Sequence, residues 1–132
     1  MGDNRIVTAT IGRETYLTKL ENGVHTASAD EPADIGGKDL APSPGDYLRM
    51  SLASCTAITL RMYADRKGLD ISEIKVEVRT EESEGKTIFH RQVHLTGTLD
   101  IAQRTRMLQI ANACPVHKVL TNPIVMNTII KG

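Results

Sequence analysis

Residues 43–68 read SPGDYLRMSLASCTAITLRMYADRKG, and this stretch decides the fold. Ser43 supplies a capping hydroxyl, Pro44 fills the first helical position, and Asp46 stands three residues after the cap, so the start of a helix is satisfied and charge-complemented. Gly68 marks its end, because only a residue without Cβ turns easily into the left-handed region. Between them Leu48, Met50, Leu52, Cys55, Ile58, Leu60, Met62 and Tyr63 point in every direction around the axis, so one apolar stripe does not describe this helix. At about 1.5 Å per residue it spans about 36 Å. A helix this long and this apolar needs cover on most sides, and a second subunit is the natural source.

Working outward, residues 33–44 contain Gly36, Gly37, Pro42 and Pro44 and read as a loop leading into the helix. Before it, Arg5 to Leu20 alternates polar with apolar residues, and Glu21-Asn22-Gly23 offers a hairpin turn ahead of Val24 to Ala29. The N-terminus is therefore a β-meander. After the helix, Ile74, Val76 and Val78 share one face of a strand over 73–80. Phe89, Val93 and Leu95 share a face of another over 87–99, with Arg91 breaking the series and the polar turn 81–86 between the two. His90 and His94 fall on the opposite, solvated face. Asp100 with Gln103 opens a second helix running to about Ala113, Cys114-Pro115 begins a further turn, and Asn122-Pro123 ends it. Ile124 to Ile130 reads as a final β-branched strand. The order is α+β in a single domain over 1–132.

Sixteen Lys and Arg balance sixteen Asp and Glu among 132 residues, so no field of one sign gathers phosphate backbones or anionic lipid, and neither nucleic acid nor membrane is an expected partner. No apolar run approaches the roughly 20 residues of a bilayer span, and the N-terminus lacks a signal-peptide core. The expected location is the cytoplasm. Two widely separated cysteines do not form the framework of a secreted domain, which leaves buried inert thiols, metal ligands or redox chemistry.

Cys55 lies about three turns into the apolar helix, where burial raises a thiol pKa, so a nearby cation is required to make it reactive. Cys114 precedes Pro115 and is the expected cap of a short helix, where free backbone N–H groups favour a thiolate. His117 lies one turn further on and is placed to raise the local positive potential. Two such thiols can meet if their helices pack together with Cα atoms within roughly 7 Å. Cys-x-x-His without a second pair is a weak zinc signal.

The helix 43–68 and the stretch Cys114-Pro115-Val116-His117-Lys118-Val119-Leu120 resemble the two signatures of the OsmC/Ohr family, the osmotically inducible and organic hydroperoxide resistance proteins. That resemblance implies an OsmC-like fold of antiparallel β-sheets around a long central helix, assembled as an intertwined homodimer. It implies a thiol peroxidase in which Cys55 attacks a hydroperoxide, organic or hydrogen peroxide, and Cys114 resolves the sulfenic acid as a disulfide. The implied reductant is a small dithiol or lipoyl group, and no cofactor or metal is called for. The family pairs a Glu with an Arg near the first thiol. Here Gly45 stands at the Glu position with Asp46 beside it, and Arg13 is the nearest match for the Arg. Asp46 is read first as a cap residue and second as a stand-in for that Glu. The competing reading is a non-enzymatic dimer that holds an apolar small molecule, with the cysteines only lining the pocket.

Overall fold

The computed structural model describes residues 4–132, and the chain divides into two compact units at Ser51/Leu52, inside the long helix. The first unit is a three-stranded antiparallel meander, β1 (Thr8–Thr10), β2 (Thr18–Glu21) and β3 (Thr26–Ala29), in the order β1-β2-β3. Asn22 makes the second turn, its Oδ1 accepting the N–H groups of Val24 at 3.0 Å and His25 at 2.7 Å. The strands are shorter than the alternation predicts, because the chain leaves the ladder at Ile11-Gly12 and bends over 13–16.

The loop that follows is organised around Asp30, 2% exposed. Its carboxylate accepts the backbone N–H groups of Glu31 (2.8 Å), Leu40 (3.1 Å) and Tyr16 (3.3 Å), which pins both sides of the loop to one anion. Gly37 packs so close to the Glu31 carbonyl that a Cβ would fall 1.9 Å from its oxygen, so no other residue fits without moving the backbone. A single 3-10 turn, Ala33–Ile35, lies within this loop.

Helix α1 (Pro44–Lys67) begins with the expected cap: Ser43 Oγ accepts the Asp46 N–H at 3.1 Å, and Asp46 Oδ2 accepts the Ser43 N–H at 3.0 Å. It ends at Gly68, φ +63°. The burial departs from expectation. Leu52, Thr56, Leu60 and Ala64, spaced four apart, are buried by the second unit, whereas Ile58 and Met62 remain 55% and 63% exposed. One chain therefore covers a single stripe of an all-round apolar helix.

In the second unit β4 (Asp70–Ser83) and β5 (Lys86–Thr98) form a long antiparallel hairpin. The strands run further than the apolar pattern predicts, and the polar segment 81–86 is mostly ladder. The turn is only Glu84-Gly85, both at positive φ (51° and 75°), which matches the right-handed strand twist. Register pairs Ile74 with Leu95, Val76 with Val93, Val78 with Arg91 and Thr80 with Phe89, so these side chains share one face.

Helix α2 (Ile101–Ala111) carries the predicted capping box from Asp100 and Gln103, and α3 (Pro115–Leu120) is capped by Cys114. The core joins Leu60 and Ala64 of α1, Ile71 of β4, and Met107 and Ala111 of α2, with Ile74, Val93 and Leu95 packed against it. The predicted final strand over 124–130 does not form. Among the described residues nothing pairs with it, and Val125, Met126, Ile129 and Ile130 are exposed. Its β-branched residues favour extended backbone, but a strand also needs a neighbour to take its hydrogen bonds. No helix among the described residues is long and apolar enough to cross a membrane.

Candidate active site

The four-residue stripe that buries α1 carries Thr56 inward and sets Cys55 at its edge, half-buried. Cys114, 0% exposed, caps α3 from the end of the α2–α3 connection. Its Sγ accepts the His117 N–H at 3.4 Å and lies 3.7 Å from Thr56 Oγ1. Cys55 lies near enough to act on its ionisation, favouring the thiolate. Both thiols are free, and Cys55 is the chain neighbour of Thr56, whose hydroxyl meets the Cys114 cap of α3.

The cation at this point is Arg91, which interrupts the apolar alternation of its strand. The apolar face of β5 aims it at the helices. Its Nη1 donates to Thr56 Oγ1 at 3.0 Å, and its Nη2 donates to Asn112 Oδ1 and to His117 Nδ1, each at 2.9 Å. All three acceptors are neutral. Among the described residues no carboxylate pairs with Arg91, so its charge is left to act on the sulfurs. A charged residue at the centre of an alternating apolar face was the signal that could have found it, since a buried-side cation needs a reason to be there.

Thr56 links the cation to the sulfur. Its hydroxyl accepts from Arg91 and has one proton to give, and both the Leu52 carbonyl oxygen, 2.7 Å away, and Cys114 Sγ are in reach. With Cys114 as a thiol, the S–H can donate to Thr56 while Thr56 donates to Leu52. With Cys114 as a thiolate, the hydroxyl can rotate its proton to the sulfur.

Burial is the largest influence on Cys114 and pushes its thiol up. The His117 N–H, the Thr56 hydroxyl, the Cys55 side chain and the Arg91 charge together outweigh it, and the net result lies below the ordinary thiol value. His117 departs from the expected role. Arginine only donates, so Nδ1 of His117 must accept, and the ring is neutral with its proton on Nε2. Burial, then the Arg91 charge, hold its pKa below the usual histidine value. His117 contributes a backbone N–H and an anchor for Arg91, not a second positive charge. The same contact sets a guanidinium against one ring nitrogen, which opposes a cation there, and the described residues contain no cluster of three or more metal-ligating side chains.

A cavity of about 750 Å³ adjoins this cluster. Ile88, Phe89, Val93, Leu95, Met107 and Leu108 make most of its wall, and Arg91, Asn112 and His117 make a polar end.

The other expected site residues lie in the first unit. Asp46 uses Oδ2 in the helix cap and Oδ1 in a 2.8 Å ion pair with Arg49. These hydrogen bonds, the Ser43 N–H foremost, hold its carboxyl below the usual value. Arg13 is exposed in the bend between β1 and β2. In the second unit Arg61, on the same helix as Cys55, donates to the Ile71 carbonyl at 3.0 Å and pairs with Asp65 at 3.4 Å.

A family model for OsmC-like proteins matches residues 36–129, and the chain belongs to that family. Among solved structures it resembles a proposed osmotic stress induced and detoxification response protein from Psychrobacter arcticus, at 25% identity and a TM-score of 0.75, covering 90% of this chain and 89% of that one. It also resembles the organic hydroperoxide resistance protein of Elizabethkingia anophelis, at 19% identity and a TM-score of 0.67, covering 92% and 90%. A third is the Legionella pneumophila organic hydroperoxide resistance protein OsmC, at 18% identity and a TM-score of 0.66, covering 92% and 91%. No curated protein matches the sequence. The fold is thus the α+β, OsmC-like one expected from the helix and the second cysteine motif.

Proposed function

We propose that this protein acts in peroxide stress as a thiol-dependent reductase of organic hydroperoxides, through Cys55 and Cys114. The nearness of Cys55 to the Cys114 cap, beside an arginine whose partners Thr56, Asn112 and His117 are all neutral, carries the reading. Cys55 gives up its proton as its sulfur attacks the outer peroxide oxygen, and that proton goes to the departing alkoxide. The O–O bond breaks, an alcohol leaves, and Cys55 becomes a sulfenic acid. Cys114 then attacks the Cys55 sulfur and expels water, giving the disulfide. Two thiols lose two electrons and two protons, and the hydroperoxide becomes alcohol and water. A small dithiol restores the thiols.

The family and the names of its structural relatives support the peroxide role. The apolar wall of the cavity suits an alkyl substituent, with the peroxide end toward the polar cluster. The working form is a homodimer, in which a second copy covers the faces of α1 that one chain leaves open.

Peroxide consumption by single-cysteine variants tests this. Cys55→Ser abolishes turnover, and Cys114→Ser completes one turnover and stalls at the sulfenic acid. A Cys114→Ser protein that cycles normally removes the resolving role. Retention of an apolar ligand by a protein that consumes no peroxide favours the binding module instead.

A further inference from the structure

The two cysteines differ in ways that bear on how a disulfide between them would be opened. Cys114 is fully enclosed, while Cys55 is half-buried at the edge of the α1 stripe, so an incoming thiol has access to one sulfur only. The groups that stabilise an anion are gathered on the enclosed sulfur: the His117 N–H at 3.4 Å, the Thr56 hydroxyl at 3.7 Å, and through Thr56 the guanidinium of Arg91. Arg91 is itself fixed by Asn112 and His117, so it does not need to reorganise when charge appears. In thiol–disulfide exchange the reaction is faster when the expelled sulfur is the more stable anion.

We propose that Arg91 is a positioning residue for regeneration: it holds Cys114 as the leaving thiolate, so that a small dithiol attacks the Cys55–Cys114 disulfide at Cys55. This rests on the disulfide of the proposed function. One thiolate of the dithiol attacks Cys55 Sγ, the Cys55–Cys114 bond breaks, and its electron pair stays on Cys114 Sγ. The second reductant thiol, losing its proton, attacks the reductant sulfur of the mixed disulfide, closes the reductant's own disulfide and frees Cys55 as a thiolate, which takes up a proton. The protein gains two electrons, and the dithiol loses them. The lowered pKa of Cys114 agrees with this direction.

The test uses protein oxidised with diamide, so that disulfide formation does not depend on peroxide activity. Oxidised protein is treated with dihydrolipoamide and, separately, with glutathione, and mixed disulfides are mapped by mass spectrometry. Glutathione on Cys55 is expected, and glutathione on Cys114 overturns the proposal. Reduction of the Arg91→Gln protein by dihydrolipoamide is expected to be slower by about tenfold, with Arg91→Lys intermediate. In a Cys55→Ser background, the ultraviolet absorbance of the Cys114 thiolate is expected to appear at higher pH once Arg91 is Gln. An unchanged titration, or an unchanged rate of reduction in folded Arg91→Gln protein, overturns the role of Arg91. Failure to consume peroxide, with these results intact, counts only against the peroxidase reading. Failure of diamide to join Cys55 to Cys114 overturns both.

Discussion

Arg91 donates a 2.9 Å hydrogen bond to Nδ1 of His117 and so fixes that ring as a neutral acceptor beside the Cys114 cap. The site therefore contains one permanent cation and no titratable one near neutral pH. Its charge balance is decided by the sulfurs.

Stability should rise with pH for two reasons at this cluster. His117 has a folded pKa below its ordinary 6.5, so the unfolded chain binds the proton more readily. Its contribution is full above pH 6.5 and is lost as pH falls through the folded value. Cys114 is held below its ordinary 9.0, so its contribution is full above that value and declines as pH falls through its own folded pKa. Urea midpoints measured across this range should climb with pH. A Cys114→Ser protein should lose the alkaline part of the climb and keep the part due to His117.

Thr56→Val removes a buried hydroxyl that Arg91, Leu52 and Cys114 all share. The isosteric change leaves a guanidinium N–H without its acceptor, and denaturant unfolding should register a loss of about 1–3 kcal/mol. Thr56→Ser, which keeps the hydroxyl, should retain most of that stability and a near-normal Cys114 titration.

Asp30 predicts a separate weakness in acid. Burial opposes its ionisation, yet backbone N–H groups led by that of Leu40 outweigh this and depress its pKa below the ordinary 3.8. Its contribution is present above that value and disappears as pH falls through the folded pKa. Hydrogen exchange at the amides of Tyr16 and Leu40 should accelerate there, and Asp30→Asn should bring the same change at neutral pH.

Leu60 is the most enclosed large side chain of the core, 0% exposed between α1, β4 and α2. Leu60→Ala should cost about 2–5 kcal/mol in chemical denaturation, because close packing allows only partial collapse of the cavity. Ile58, two positions away and 55% exposed, should behave oppositely. Ile58→Glu should hardly change the fold of one chain but should shift sedimentation toward the monomer if a second copy covers this face.

Local signals in the sequence were strong where chemistry is local. Ser43 and Asp46, Asp100 and Gln103, and Cys114 before Pro115 each announce a helix start within a few residues, and each cap is present in the structure. The meander and the long hairpin followed from alternation. What could not be read was anything decided by a distant partner. The segment 124–130 has the composition of a strand, but pairing is a property of two segments, and no second one meets it. Arg91 was visible as an exception, yet its meaning depends on Thr56, Asn112 and His117, which come from three separate parts of the chain. The convergence of Cys55 and Cys114 was implied only by family resemblance, since spacing does not bring a helix edge to a helix cap.

A second copy seated on the exposed flank of α1 would tie this molecule to its own abundance. If another copy must cover Ile58 and Met62, folding and assembly obey mass action together, and the melting temperature should move upward as the protein is concentrated. A cell making more of it would then hold each molecule more firmly folded, and dilution would loosen the helix that carries Cys55.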